Sequence, residues 1–292
     1  MAETRVLQGA GGGLGTMLKA ALPAVPGVNQ LPGVRKQGGP LPELTLRREG
    51  VRLDADHVRA YADVCGFEHR DVLPLTYLHM VAFPLHMALM TDQAFPFPAI
   101  GTVHLENRID RLAQVGPDAV VDAEVRATNL RPHAKGQVFD LESRITQDGA
   151  TVWSSVSSYL RIGRGDAENG ERGTEFAAAT PGAANWRLGA DLGRRYAAVS
   201  GDSNPIHLYP LTAKAFGFPR QIAHGMWTKA RAVAAIENRL PDAVRVAVGF
   251  KKPILLPATV RFGFRGEAQG IDFAVTSPRN GAPHVLGHTR AL

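Results

Sequence analysis

Between Thr259 and Glu267 apolar and charged side chains alternate. Val260, Phe262 and Phe264 fall on one side of an extended chain, and Arg261 and Arg265 on the other. A period of two belongs to a β-strand, so this run predicts a strand with one buried face. Stretches rich in Val, Thr and aromatics predict further strands at Ala119–Leu130, Gly136–Gln147 and Thr151–Ile162, then at Val244–Phe250, Ile271–Thr276 and Val285–Arg290. Elsewhere the period lengthens. Met226–Leu240 is Ala-rich, spreads Met226, Ala230, Val233, Ala234 and Ile236 around much of a helical circumference, and runs up to Pro241. Leu75–Met90 is a second apolar helix candidate, in which Pro84 is expected to kink or split the helix. A shorter helix opens near Ala190 and closes at Ser200, because Gly201 takes positive φ without a Cβ penalty. Pro210 starts another short helix that ends before Gly217.

These elements repeat. Tyr61, Ala62, Val64 and Gly66 recur as Tyr196, Ala197, Val199 and Gly201 at a fixed offset of 135 positions. Each copy is expected to pack one long helix against its own strands. A long helix embraced by a curved antiparallel sheet is the hot-dog arrangement, so the expected fold class is α+β, a double hot-dog in which two copies form a pseudo-dimer within one chain. The Gly-rich, charged stretch from Gly163 to Gly182 has linker composition. The expected division is a tail over 1–40, a first hot-dog domain over 41–163, a linker over 164–183 and a second hot-dog domain over 184–292.

The chain has 292 residues, 45% of them hydrophobic, which suits two cores rather than one. It contains no run of eighteen apolar residues, and its first twenty-two residues are too Gly-rich for a secretory signal, so a cytoplasmic protein with no integral membrane association is expected. The single Cys65 cannot form an internal disulfide and reads as a buried structural thiol. Net charge is +6, but the basic residues occur in pairs such as Arg47-Arg48, Arg194-Arg195 and Lys251-Lys252, without long runs or interleaved aromatics. That distribution argues against nucleic acid and for a phosphate-bearing ligand. Gly9–Gly15 imitates a dinucleotide fingerprint, yet no strand precedes it and no βαβ unit follows, so it reads as part of a flexible tail. His79 and His86 share a helix face, and without a third ligand they read as packing or tunnel-lining residues rather than a metal site.

Candidate chemistry concentrates at Asp202-Ser203-Asn204-Pro205-Ile206-His207. Pro205 pushes Asn204 toward extended geometry, so the carboxylate and the imidazole sit on one constrained turn. Such a pair moves protons around a water molecule near neutral pH, and Asn204 between them is placed to orient the acid or a substrate carbonyl. Soon afterwards Ala223-His224-Gly225-Met226 opens a helix. Free N–H groups at that start form an anion-stabilising corner suited to an enolate oxygen. The first copy lacks the pair, because at the same offset Asp202, Asn204 and His207 correspond to Phe67, His69 and Val72. The first half is therefore free to enlarge its cavity for an acyl chain or to serve only as a packing partner, while the second half is expected to catalyse. Ser200 has no nucleophile elbow around it, which argues against a serine hydrolase.

The string Tyr196-Ala-Ala-Val-Ser-Gly-Asp202-Ser-Asn204-Pro-Ile-His207, followed by Ile222-Ala-His224-Gly225-Met226, resembles the hydratase motif of the MaoC-like (R)-specific enoyl-CoA hydratases. Over nearly its full length, including Gly249-Phe-Lys251-Lys252-Pro-Ile-Leu-Leu-Pro-Ala-Thr259, the chain is similar to mycobacterial-type (3R)-hydroxyacyl-thioester dehydratases. The resemblance implies reversible hydration of a trans-2-enoyl thioester, carried on coenzyme A or an acyl-carrier protein, to the (3R)-hydroxyacyl thioester. It assigns Asp202 and His207 to catalysis, the Gly225 N–H to the thioester oxygen and Asn204 to orientation. Lys251 and Lys252 become candidates for coenzyme A phosphates, with Ser200 and His224 as further substrate-side candidates. No metal or organic cofactor is implied, and the chain is expected to be a monomeric pseudo-dimer or a homodimer. Two alternatives remain open: a hot-dog acyl-thioesterase, in which the same acid activates water against the carbonyl carbon, and a non-catalytic acyl-thioester-binding protein.

Overall fold

The computed structural model describes residues 3–7, 38–99, 101–177, 182 and 184–292; the Gly9–Gly15 run lies outside them. In chain order the elements are β1 (Glu3–Val6), β2 (Leu44–Arg52), α1 (Ala55–Cys65), α2 (His79–Thr91), β3 (Thr102–Arg111), β4 (Val120–His133), β5 (Gly136–Gln147) and β6 (Ala150–Ile162). They continue with β7 (Ala184–Leu188), α3 (Leu192–Ser200), α4 (Pro205–Leu208), α5 (Pro210–Ala215), α6 (Gly225–Ala234), β8 (Val244–Phe250), β9 (Ala258–Glu267), β10 (Gly270–Thr276) and β11 (Pro283–Ala291). All seven strands expected from the alternation are present, with bounds that move by at most three residues.

Two compact units form. The first joins Met1–Arg52, His79–Leu105 and Val120–Gly173. In it β2, β4, β5 and β6 pair antiparallel in that order, and β1 adds in parallel to β2, so residues Glu3 to Val6 form a strand where the sequence reading places a tail. Helix α2 rests on β2, β4 and β5. Ten of its side chains are buried and none of its first-turn residues is acidic, the composition of a helix enclosed on most sides. Pro84 leaves it unbroken. The helix begins at His79 rather than Leu75 because the preceding residues are engaged elsewhere: Tyr77 N–H donates to Pro74 O and the Thr76 hydroxyl bonds the Tyr61 hydroxyl.

The second unit joins Leu53–Leu78, Glu106–Ala119 and Thr174–Leu292, taking in two segments that the sequence reading places in the N-terminal half. Its antiparallel sheet runs from the second part of β3 through β8, β11, β10 and β9 to β7. Helix α6 lies on β10 and β11. It stops at Ala234, six residues before the expected end, and a 3-10 turn at Glu237–Arg239 follows. The reason is Ile236, 1% exposed, whose N–H bonds Val233 O three residues back and so tightens the chain out of the α-helix. The alternation on β9 also ends early. Val260 and Phe262 are buried, but Phe264 is 38% exposed, with the Arg239 guanidinium 5.0 Å above its ring.

Both repeat-related helices, α1 and α3, belong to this second unit and lie against each other. Each ends at a left-handed glycine, Gly66 at φ 77° and Gly201 at φ 72°, whose N–H returns to Ala62 O or Ala197 O. Tyr61 and Tyr196 bring their rings to 6.3 Å. A second tie runs from α6, where the fully buried Lys229 ammonium donates to Asn107 O at 3.2 Å, Asn107 Oδ1 at 2.5 Å and Val246 O at 2.9 Å. Three donors meet three acceptors, which is what makes the burial of a lysine tolerable. Cys65 is buried and burial pushes its thiol up, as expected of a structural cysteine, although Arg231 stands close enough to oppose the shift.

Candidate active site

Helix α3 delivers the site. Its left-handed end at Gly201 reverses the chain, and Asp202 follows on the turn. The Ser200 hydroxyl accepts from Asp202 N–H at 3.1 Å, and Asp202 Oδ1 accepts from Asn204 N–H at 3.2 Å. Asn204 then caps α4 by accepting from Ile206 N–H at 3.4 Å, with Pro205 at the first helical position. Asn204, expected to orient the acid or a substrate carbonyl, thus holds Asp202 through its backbone N–H, while its Oδ1 and the Ser200 hydroxyl, a substrate-side candidate, shape the turn. His207 sits on α4, pressed against the first turn of α3 so closely that a Cβ on Gly193 would come 1.9 Å from His207 O. Only glycine fits there.

The hydrogen bonds settle the tautomers. His207 Nδ1 lies 2.8 Å from Ile222 O; a carbonyl only accepts, so Nδ1 carries the proton and Nε2 is bare in the neutral ring. His224 Nε2 lies 3.0 Å from the backbone Asp202 O and by the same argument carries its proton. His224, at the mouth of α6, is stacked on His207 with ring centroids 3.7 Å apart and planes at 27°. The sequence marks it as a substrate-side candidate within the Ile222–Met226 part of the motif, and its stacking on His207 carries no signal in the sequence.

Burial raises the Asp202 carboxyl above its ordinary value, against the opposing pull of His207 and the Asn204 N–H. Burial lowers His207, with Asp202 opposing, and lowers His224 strongly, helped by His207. Both imidazoles are therefore neutral at pH 7. Asp202 keeps 26% of its side chain exposed, against 2% for His224, so the carboxylate is the open side of the cluster.

One donor atom from each of Asp202, His207 and His224 can be chosen such that all three lie within 4.8 Å of one another. That spacing suits a single water held between Asp202 and His207. It suits a metal ion less well, because near-parallel rings direct their lone pairs side by side instead of toward a common point.

Gly225 opens α6, so its N–H has no intrahelical acceptor. A Cβ there would come 3.0 Å from the Phe250 ring, a contact that makes the ring give way by a few tenths of an ångström. Lys251 and Lys252 follow Phe250 directly and are exposed; the Lys251 ammonium lies 5.6 Å from the Phe176 ring centroid.

Residues 181–275 match the family described as the MaoC like domain. The chain is 38% identical over 285 residues to 3-hydroxyacyl-thioester dehydratase X of Mycobacterium tuberculosis, covering 96% of this chain and 98% of that protein. It belongs to the MaoC-like dehydratases. The crystal structure of that protein, HtdX, superposes on this dehydratase with a TM-score of 0.76 at 39% identity, covering 85% of this chain and all of that one. A second Mycobacterium tuberculosis structure, described as a double hot-dog fold, matches at a TM-score of 0.52 and 12% identity, covering 87% of this chain and 96% of that one, and speaks for the fold alone. The dehydratase is a double hot-dog α+β protein. Among its described residues no helix is long and apolar enough to cross a membrane.

Proposed function

We propose that this chain catalyses the reversible hydration of trans-2-enoyl thioesters to (3R)-3-hydroxyacyl thioesters in fatty acid metabolism, as a cytoplasmic hydro-lyase, with Asp202 and His207 as its catalytic residues. The observation that carries this reading is that His207, with its proton held on Nδ1 and Nε2 left bare, belongs to the same cluster as the Asp202 carboxylate. In the hydration direction both groups start as bases. Neither can donate a proton at the outset, so the proton that reaches C2 is one taken from the water. The water oxygen bonds C3 as one of the pair accepts its proton; the C2–C3 π electrons shift toward the thioester carbonyl. The Gly225 N–H stabilises the resulting enolate oxygen. The proton then passes to C2 on the same face, and the pair regains its starting state.

Lys251 and Lys252, beyond the end of β8, are our candidates for the phosphate of the carrier arm. The first half, without a dyad, accommodates the acyl chain; the uncharged, enclosed surface of α2 supports that role. The test is loss of the conjugated enoyl ultraviolet absorbance on mixing purified protein with crotonyl-CoA and longer trans-2-enoyl-CoA. Formation of the (3R)-hydroxy product without free thiol, lost in Asp202→Asn, supports the hydratase. Released thiol would make it a thioesterase, and unchanged absorbance over all chain lengths and carriers would make it a binding protein.

A further inference from the structure

From Leu192 to Ile236 the chain carries one carboxylate, Asp202, which belongs to the catalytic cluster. The exposed charges of the stretch from Leu192 to Arg220 are all positive: Arg194, Arg195, Lys214 and Arg220. Among them stand three apolar side chains that the described residues leave exposed. Leu211 is 80% exposed, Tyr209 52% and Phe216 39%. Tyr209 and Phe216 flank α5, which itself carries Leu211 and starts three residues after His207.

This surface is preformed. The Thr212 hydroxyl lies within hydrogen-bond distance of Pro205 O (2.6 Å) and Tyr209 O (3.0 Å), which fastens α5 to the α4 turn. Arg194 donates to Leu208 O at 3.0 Å and lays its guanidinium 5.0 Å above the Tyr209 ring, fastening the same segment to α3. A protruding leucine at 80% exposure inside a cationic rim is costly to leave in water and has no packing role.

Resting on the reading of the site as a thioester hydratase, we propose that Tyr209, Leu211 and Phe216, ringed by Arg194, Lys214 and Arg220, form the docking surface for an acidic acyl-carrier protein that presents the enoyl thioester. Three features select that occupant. The rim carries four exposed cations from Leu192 to Arg220, against the single exposed Asp191 at the start of α3, and therefore complements an acidic protein. Its apolar centre protrudes, and a partner protein can supply the concave apolar surface that would bury Leu211, whereas an adenosine moiety needs a pocket on this side. The patch follows the catalytic imidazole directly in the chain, so a carrier seated there needs only its flexible arm to bring the thioester to Asp202 and His207.

The experiment measures kcat/KM for one trans-2-enoyl chain presented three ways: on a purified type II acyl-carrier protein, on coenzyme A and on N-acetylcysteamine. Wild type is compared with Leu211→Asp and with Lys214→Glu/Arg220→Glu. The expected result is a fall of about 10-fold or more for the carrier-protein substrate in both variants, with the N-acetylcysteamine substrate changed less than about twofold and the wild-type carrier-protein rate falling with salt. Equal losses on all three substrates, or on coenzyme A and carrier protein alike, would overturn the proposal. So would a wild-type dimer that Leu211→Asp converts to a monomer in sedimentation while the carrier-protein rate stays unchanged. If wild type turns over none of the three, the hydratase reading fails by itself; docking is then read from titration of fluorescent acyl-carrier protein, where weaker binding to Lys214→Glu/Arg220→Glu upholds it and equal or absent binding overturns it.

Discussion

The imidazoles of His207 and His224 lie face to face, 3.7 Å apart, and each spends one nitrogen on a backbone carbonyl of the turns that carry the site: Ile222 O for His207 and Asp202 O for His224. The two rings thereby hold each other and the Asp202 turn in one geometry. His224→Gln keeps a donor for Asp202 O but loses the stack, and His224→Phe keeps the stack but loses the donor. Leaving a buried carbonyl unpaired costs about 1–3 kcal/mol, so His224→Phe is expected to be the less stable in urea titration. Both variants are expected to lower kcat while leaving KM within a few-fold, because the ring acts through His207 and the turn.

For the catalytic pair, Asp202→Asn and His207→Gln are each expected to lower kcat by about 10²–10⁴-fold, the usual contribution of a positioned acid–base group. The double variant is expected to be little worse than either single one, since the two act on one water. Absorbance assays at saturating enoyl-CoA check both statements.

Gly225 permits a comparison that isolates the backbone donor. Gly225→Ala and Gly225→Pro both push a Cβ toward Phe250, but only proline removes the N–H, and His224 at ψ 138° already has the extended backbone that a following proline requires. The proline variant is expected to fall about 10²–10³-fold below the alanine variant in kcat, the effect of one missing oxyanion donor. Equal rates in the two would remove Gly225 from the mechanism.

The buried charges fix two pH dependences. Asp202 is raised above the ordinary carboxylate value and His207 lowered beneath the ordinary imidazole value. On the acid side of kcat/KM the Asp202 limb is therefore expected above the ordinary carboxylate value and the His207 limb beneath the ordinary imidazole value. Stability has its own limb. Burial pushes His86, whose Nε2 lies 2.7 Å from Ser143 Oγ, down to about 3. A folded pKa lower than the unfolded one contributes stability that is complete above about 6.5 and lost as pH falls toward 3, at up to about 1.4 kcal/mol per pH unit. Urea midpoints are expected to drop steadily below pH 6, and His86→Gln to flatten that slope.

Lys229 has no part in the proposed chemistry and a large part in holding α6. Lys229→Met keeps the length of the side chain and removes the donor that three oxygens on Asn107 and Val246 share, so a loss of about 1–3 kcal/mol is expected in equilibrium unfolding.

Local chemistry determined much of this protein in advance. Strand alternation, the glycine that ends α3 and the prolines that open α4 and α5 all act over a few residues, and the structure keeps them except at Phe264, where the alternation of β9 ends early. The 135-residue repeat likewise reappears as two helices with the same left-handed cap. Tertiary structure decided what depends on partners distant in the chain. It placed α1 beside α3 in one unit, because a tyrosine-faced helix buries its ring against whatever apolar face is nearest in space. It ended α6 at Ala234, since burying Ile236 outweighs continuing an Ala-rich helix. It brought His224 onto His207, a contact across seventeen residues that periodicity and propensity do not encode. Lys229 is the plainest case: a lysine in a helix reads as solvent-facing until three carbonyl-type oxygens from two strands close around it.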